Sequence, residues 1–544
     1  MSSLSTKTSH STSTSSVSPT LTPTSTSTSA SGKSPIITPL SNTSLSTTPC
    51  DINNYRTVDD NSINSETTSM SKPGTSFLSN LTTQTRTNFS ESKIPHFVTQ
   101  LTAELQESIT HHSDRSMLPT KTLITSRQET GRYLVIDLGG STLKICIIEL
   151  MSGSRYEIIE GPFKFEIPND SKTVDLAFFN MIAEKVSVVL NGSDWFTEGA
   201  EVHTGVSWSF PFDQTEPNNG FIYVVSKGYV LTDEVKGCDL SSLFADQFNK
   251  LPLSQNKKRY RVLVNSIIND AVAVFNSGLY LHDCAMGLVV GTGLNASFQY
   301  NHRVINAELS FFGSFLHDLF LPQLDLTMAP DLALVGDQMK LHVYDSCPLL
   351  QPLEYLIAGR YIGELFRLGA VQMIEHGELF SGCDAITGDS CGSTAYDLDG
   401  AFVGNFSAGG YEFDCELVKR QFGDHVELSL DDYHKLKQLI EVLINRASLL
   451  LCVAIFGIIK FLADEDPSLL SRDVINVGYV GSMLEYFTLF KDGTDALLNK
   501  WHEKLGLPVV KLVHIDNSSI LGAGVSAGSF DEQVLGQGRR KSVL

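Results

Sequence analysis

One stretch constrains the fold of this chain more than any other: Tyr133-Leu-Val-Ile-Asp137-Leu-Gly139-Gly140-Ser141-Thr142-Leu-Lys144-Ile-Cys-Ile-Ile-Glu-Leu150. Two apolar runs flank a short polar turn, which predicts a β-hairpin. Asp137 closes the first strand, and two glycines and two hydroxyls make the turn. Glycine lets a backbone come close to a ligand and leaves N–H donors exposed, and such a turn can wrap a phosphate. Asp137 is then placed to hold the metal that accompanies phosphates. Taken alone, the motif is equally an ordinary Gly-Gly hairpin, because short glycine patterns recur by chance.

The rest of the chain bears on that choice. At 544 residues it is long enough for two domains plus extensions. The formal net charge of −21 argues against a nucleic-acid or anionic-membrane surface, which needs clustered Lys and Arg. A nucleotide pocket built from backbone amides and Mg²⁺ remains open. Nine cysteines lie far apart with no C-x-x-C spacing. Free thiols in a reducing compartment are expected, so cytoplasmic residence with a nuclear fraction, not a disulfide framework or zinc site. Cys383 and Cys391 fall in a Gly/Asp-rich stretch that reads as a loop. No signal peptide is expected, since the N-terminus has no apolar h-region. The longest apolar run, Ala447 to Ile459, is shorter than the roughly 18–20 residues of a membrane span and reads as a buried core helix.

Thirty of the first fifty residues are Ser or Thr. Such a tract buries too little apolar surface to offset its ordering entropy, so residues 1–92 are expected to be a disordered arm. Ser18-Pro19, Thr22-Pro23, Ser34-Pro35, Thr38-Pro39 and Thr48-Pro49 are candidate sites for proline-directed protein kinases, or chance pairs in a biased tract. Order is expected from about Ile94, where Phe97, Leu101, Leu105 and Ile109 lie at helical spacing. Strands and helices then alternate to about Gly278, the pattern of an α/β domain. From Met286 the chain becomes richer in long helices, clearest from Leu436 to Leu462. The expected divisions are 93–279, 280–530, and a flexible tail at 531–544 whose Arg539-Arg540-Lys541-Ser542 could serve a basophilic kinase.

Further glycine turns recur along the chain. Gly291-Thr292-Gly293-Leu-Asn295 follows the apolar run from Met286 and forms a second strand-and-turn unit. Gly478-Tyr-Val-Gly481-Ser482 follows Val474-Ile-Asn-Val. Asn517-Ser518-Ser-Ile-Leu-Gly522-Ala-Gly524 predicts a helix N-terminus able to hold a phosphate or ribose. None is a P-loop or a G-x-G-x-x-G fingerprint. Between the turns lies polar density suited to a polyol: Ser209, Ser226-Lys227-Gly228, Asn269-Asp270, Asn306, Glu308 and Glu354. Buried without partners, such groups cost roughly 1–3 kcal/mol each, so they should cluster around a polar ligand or one another.

Those motifs, in that order, resemble the hexokinases, the two-domain ATP-dependent sugar kinases of the actin-like ATPase (ribonuclease H-like) α/β fold. The resemblance spans about Ile94 to Gly528. It implies a first phosphate motif at Asp137, Gly139, Gly140, Ser141, Thr142 and Lys144. A second lies at Gly291, Thr292, Gly293 and Asn295, with adenosine-side contacts at Gly481, Ser482 and Ser518. It implies a sugar site from Ser209, Gln214-Thr215, Ser226, Lys227, Asn269, Asp270, Asn306, Glu308 and Glu354. Asp270 would be the base, Lys227 would orient the sugar and balance charge, and Asp137 would hold Mg²⁺ through water.

The departures narrow the expectation. Glucose-phosphorylating members usually read Asn-Thr-Glu-Trp-Gly, where this chain reads Asn306-Ala-Glu308-Leu309-Ser310. Gly-Gly-Ser-Thr, Trp-Ser-Phe-Pro, Val-Ser-Lys-Gly-Tyr, Gly-Tyr-Val-Gly-Ser and Asn-Ser-Ser-Ile are similar to the fungal N-acetylglucosamine kinases. The expectation is therefore ATP-dependent phosphorylation of a hexose 6-hydroxyl, with N-acetylglucosamine as substrate. A glucose, fructose or mannose hexokinase is the alternative. A third reading is a sugar sensor without useful catalysis, motivated by the substitutions at Thr142 and Leu294 in phosphate-facing turns. Replacing Trp by Leu309 either frees room beside Glu308 for a 2-acetamido group or lets Leu309 pack tightly in a rebuilt wall.

Overall fold

Each half of the chain builds the same sheet plan. The computed structural model describes residues 76–113, 115–225, 229–328, 349–381, 394–423 and 426–536. In the first sheet, Arg155–Glu166, Thr142–Met151 and Gly131–Leu138 run antiparallel in that spatial order. Glu201–Trp208 and Arg261–Ile268 then extend it in parallel. In the second sheet, Arg303–Asn306, Leu294–Tyr300 and Met286–Val290 are the antiparallel three. Val474–Val480 and Val509–His514 are the parallel two, and Leu118–Pro119 adds a short outer edge. The hairpin turns at Gly139 and Gly291 therefore occupy equivalent places. So do the Asn269-Asp270 and Asn517-Ser518 segments, each of which follows the last parallel strand of its sheet and starts a helix.

The two helices cross over. Asp270–His282, launched from the first sheet, packs on the second, and Ser518–Phe530, launched from the second, packs on the first. Missing side chains make this possible. A Cβ on Gly205 would lie 2.1 Å from the Ala523 carbonyl oxygen, and one on Gly287 would lie 2.4 Å from the Phe275 nitrogen. Between the helices, a Cβ on Gly522 would lie 2.3 Å from the Ala273 carbonyl oxygen, and Asn276 Nδ2 donates to Ser526 Oγ at 2.8 Å. Ala273 meets Gly522 and Asn276 meets Ser526, so the helices run parallel and their N-termini share one end of the molecule. Asp270 and Ser518 are at that end.

Leu430–Glu465 is the core helix of the second half. Ser429 caps it by accepting from Asp432 N at 3.1 Å, and Asp431 and Asp432 in its first turn complement the helix dipole. It is the one described helix long and apolar enough to cross a membrane, yet 94% of its apolar window is buried inside the protein. Ile94–Thr110 lies along it at Gly457, where a Cβ would come within 2.8 Å of Leu101 Cδ2.

Three expectations from sequence are corrected. Residues ahead of Ile94 are ordered too: Phe77–Asn88 forms a helix whose Phe77, Leu78 and Leu81 join the second half's core. Ser76 caps it by accepting from Ser79 N at 3.3 Å, and Glu378 reinforces that cap, taking Ser76 Oγ at 2.8 Å and the amides of Phe77 and Leu78. The Ile94–Thr110 helix also joins that core and not the first sheet's. At the other end, residues 531–536 are docked, not a free tail. Asp531 accepts from Asn265 Nδ2 at 2.7 Å and lies 3.2 Å from His203 Nδ1, and Glu532 accepts from Ser126 Oγ at 2.8 Å. The Ser/Thr-Pro pairs, Ser542, Cys383, Cys391 and the Ser226-Lys227-Gly228 segment lie outside the described residues.

Candidate active site

The first hairpin turn is closed by Gly139 N donating to Thr142 O at 2.9 Å. Ser141 is exposed at its tip, and Gly139 and Gly140 are half-buried. Ser209 is held beside it, its amide donating to Leu138 O at 3.2 Å. Asp137, nearly buried at the end of its strand, faces Lys144 across the antiparallel register. One oxygen, Oδ2, receives both the Lys144 ammonium at 2.9 Å and the Ser519 hydroxyl at 2.7 Å.

The second turn meets the third. Gly291 N donates to Gly293 O at 3.0 Å, leaving Thr292 exposed at the tip. A Cβ on Gly291 would lie 3.5 Å from Ser482 N and 3.8 Å from its Oγ. Gly481 has φ +114°, and a Cβ there would strike Val290 O at 2.5 Å, so no other residue fits this contact. Gly481 N is held by Glu485 Oε1 at 2.6 Å. Ser518 is buried at the start of its helix.

The sugar candidates of the second half form one network. Asn306 Nδ2 donates to Glu308 Oε1 at 2.7 Å, and Asn295 Nδ2 reaches Asn306 Oδ1 at 3.0 Å and Glu308 Oε1 at 3.3 Å. Asn295 thus serves the carboxylate, not only the phosphate turn assigned to it from sequence. Glu354 Oε2 accepts from Leu294 N at 2.9 Å. Glu308 adopts φ 49°, uncommon for a residue with a side chain and a mark of a locally imposed conformation.

From the first half comes Asn269, which caps its helix by accepting from Ala271 N at 3.0 Å. Asp270 follows as the first helical residue, where the helix dipole favours a carboxylate. Its charge is felt across the boundary between the halves. The Glu308 carboxyl is pushed up to about 7, first by burial and then by the negative charges of Asp270 and Glu354, against the lowering effect of Asn306 and Asn295. Carboxylates from three separate segments therefore act on one another electrostatically.

Two sugar-side readings change. Gln214 does not present its amide to a cleft: Nε2 donates to Ile267 O at 2.9 Å and Asn219 O at 3.1 Å, while Oε1 accepts from Lys121 N at 3.3 Å. Leu309 is fully buried in the second half's core, so the wall beside Glu308 is closed at that side chain and offers no open gap. Ser519 was missed altogether, since nothing local distinguishes it from Ser518.

Mg²⁺ prefers one or two carboxylates, substrate phosphates and several waters to a protein cage. The site fits that preference. Asp137 stands beside the first turn, and no group of three metal-ligating side chains is found among the described residues.

Comparison with known proteins agrees with this layout. Hexokinase family models match residues 81–280 and 285–529, the two halves in order. N-acetylglucosamine kinase 1 of Candida albicans is 29% identical over 492 residues, covering 85% of this chain and 96% of that protein. Hexokinase-1 of Saccharomyces cerevisiae is 22% identical over 449 residues, covering 77% and 84%. The solved hexokinase of Schistosoma mansoni, complexed with glucose, superposes with a TM-score of 0.63 at 22% identity over 83% of this chain and 99% of that one. That likeness gives the fold, the two-sheet actin-like ATPase plan. With family models covering both halves and the two turns, the Asn-Asp pair and the carboxylates in their expected elements, the chain belongs to the hexokinase family, as a sugar kinase transferring a phosphoryl group to an alcohol.

Proposed function

We propose that the protein transfers the γ-phosphoryl group of ATP to the 6-hydroxyl of N-acetylglucosamine. The observation that carries the reaction is that Asp270, from the first half, acts electrostatically on the second half's Glu308 together with Glu354, which is itself hydrogen-bonded to the second glycine turn. In this reading Ser209, Asn269, Asn306, Glu308 and Glu354 bind the sugar hydroxyls. Ser226 and Lys227, which lie outside the described residues, complete the set. Asp270 accepts the proton of the 6-hydroxyl as its oxygen attacks the γ-phosphorus and ADP leaves. General base catalysis of this kind typically contributes roughly 10²–10⁴-fold.

The turns closed by the Gly139 and Gly291 amides present the Gly140 and Gly293 amides and the hydroxyls of Ser141, Thr142 and Thr292 to the phosphates, while Gly481, Ser482 and Ser518 face the adenosine. Asp137 would hold Mg²⁺ through water, and the ion would supply neutralisation of phosphate charge. Phosphoryl transfer is mostly positioning and charge stabilisation, which is what backbone donors fixed by two sheets provide.

The amino-sugar preference is supported by the shared motif set and by the name of the Candida albicans relative. A coupled ADP-release assay on the purified protein with N-acetylglucosamine, glucose, fructose and mannose tests it. Turnover is expected to favour N-acetylglucosamine. A large preference for glucose defeats the amino-sugar reading while keeping the kinase. No ADP release with any of the four defeats the kinase reading and favours a sugar-binding regulator.

A further inference from the structure

We infer that Ser519 is a positioning residue for phosphoryl transfer, which sets the carboxylate of Asp137 from the far end of the chain. The inference rests on the nucleotide reading above and concerns a residue that lies 382 positions from the group it holds.

Asp137 Oδ2 accepts from Ser519 Oγ at 2.7 Å and from Lys144 Nζ at 2.9 Å. Two donors on one oxygen fix the plane of the carboxylate and leave Oδ1 for other partners. The two donors differ in kind. Lys144 is on the neighbouring strand of the same hairpin and moves with Asp137. Its ammonium is a flexible point charge that a nucleotide phosphate can draw away. Ser519 sits in the first turn of the Ser518–Phe530 helix, whose start faces the adenosine side in our reading. Its short side chain has one rotatable bond to the hydroxyl, so the reach of that hydroxyl is set by the helix backbone.

The helix itself is fixed where it matters. Gly205 admits Ala523 to van der Waals contact with the strand beside Asp137's own, and Gly524 lies over Val135 and Ile148, where a Cβ would come within 2.0 Å of Ile148 Cδ1. The distance from the Ser519 hydroxyl to Asp137 is therefore set by the packing of the helix on the first sheet. One hydrogen bond then ties the adenosine-side helix to the carboxylate assigned to the phosphate-bound metal. Loss of the hydroxyl leaves Asp137 to Lys144, and where nucleotide phosphate draws that ammonium away the carboxylate loses its fixed orientation toward the metal's hydration shell.

The test is calorimetric binding of ADP, with and without Mg²⁺, to the wild type, Ser519→Ala and Ser519→Thr. Wild type is expected to bind ADP more tightly when Mg²⁺ is present. Ser519→Ala should lose about tenfold of that metal-dependent advantage, in line with a charge-assisted hydrogen bond. Its ADP affinity without Mg²⁺ and its thermal stability should stay near the wild type's, and Ser519→Thr should recover most of the loss. An unchanged metal-dependent advantage in Ser519→Ala overturns the inference. So does an equal loss with and without Mg²⁺, which would make the hydroxyl merely structural. A wild type that binds no ADP under either condition overturns the nucleotide reading itself.

Discussion

Leu294 and Glu354 are joined by a hydrogen bond from the Leu294 amide to Glu354 Oε2 at 2.9 Å, so the second phosphate turn is fastened to a sugar-side carboxylate. A Cβ on Gly293 would lie 3.0 Å from the same oxygen. Gly293→Ala should therefore displace Glu354 and disturb both substrates at once. We expect kcat/KM to fall about tenfold, with KM rising for the sugar as well as for ATP, measured by initial rates with each substrate varied. A rise confined to ATP would separate the two groups.

Glu308 gives the site a pH dependence. Its carboxyl titrates near 7 in the folded protein against an ordinary value of 4.5, so the native state binds the extra proton between those limits. Native stability from this group must then fall as pH rises from 4.5 through 7, by something on the order of 3 kcal/mol. Glu308→Gln removes the titration. Its melting temperature should exceed the wild type's at pH 8 and approach it at pH 5. Sugar binding should run the other way, since a carboxylate accepts hydroxyl hydrogen bonds better once ionised. The wild-type sugar KM should fall between pH 6 and 8, while that of Glu308→Gln stays flat.

Away from the site, Arg446 and Asp325 are both fully buried and pair at 2.8 Å. Arg446 Nε and Nη2 and Asp325 Oδ1 find no hydrogen-bond partner among the described residues. Removing one charge leaves the other stranded. Asp325→Ala should cost about 3–5 kcal/mol by denaturant unfolding, whereas Arg446→Met combined with Asp325→Leu should cost far less.

Much of this architecture was legible because its signals are local. Gly139-Gly140 and Gly291-Thr292-Gly293 sit between apolar strand runs, and both form the expected hairpins. The Leu430–Glu465 helix announces itself by an unbroken apolar stretch. What was missed depends on distant partners. The Phe77–Asn88 helix is mostly Thr, Asn and Gln in a Ser/Thr-rich neighbourhood, and its local Ser76 cap is reinforced by Glu378, three hundred residues away. Gln214 looked available to a sugar until Ile267 and Asn219 claimed its amide. Ser519 becomes informative only when the last helix folds back onto the first sheet.

The account's central claim is that Asp270, launched from the first sheet toward the carboxylates of the second, removes the hydroxyl proton. Steady-state turnover of Asp270→Ala and Asp270→Asn, beside calorimetric sugar binding by the same proteins, tests it most directly. The account predicts a loss of at least about 10²-fold in kcat with sugar binding weakened but measurable. Turnover at the wild-type level in either variant would contradict it.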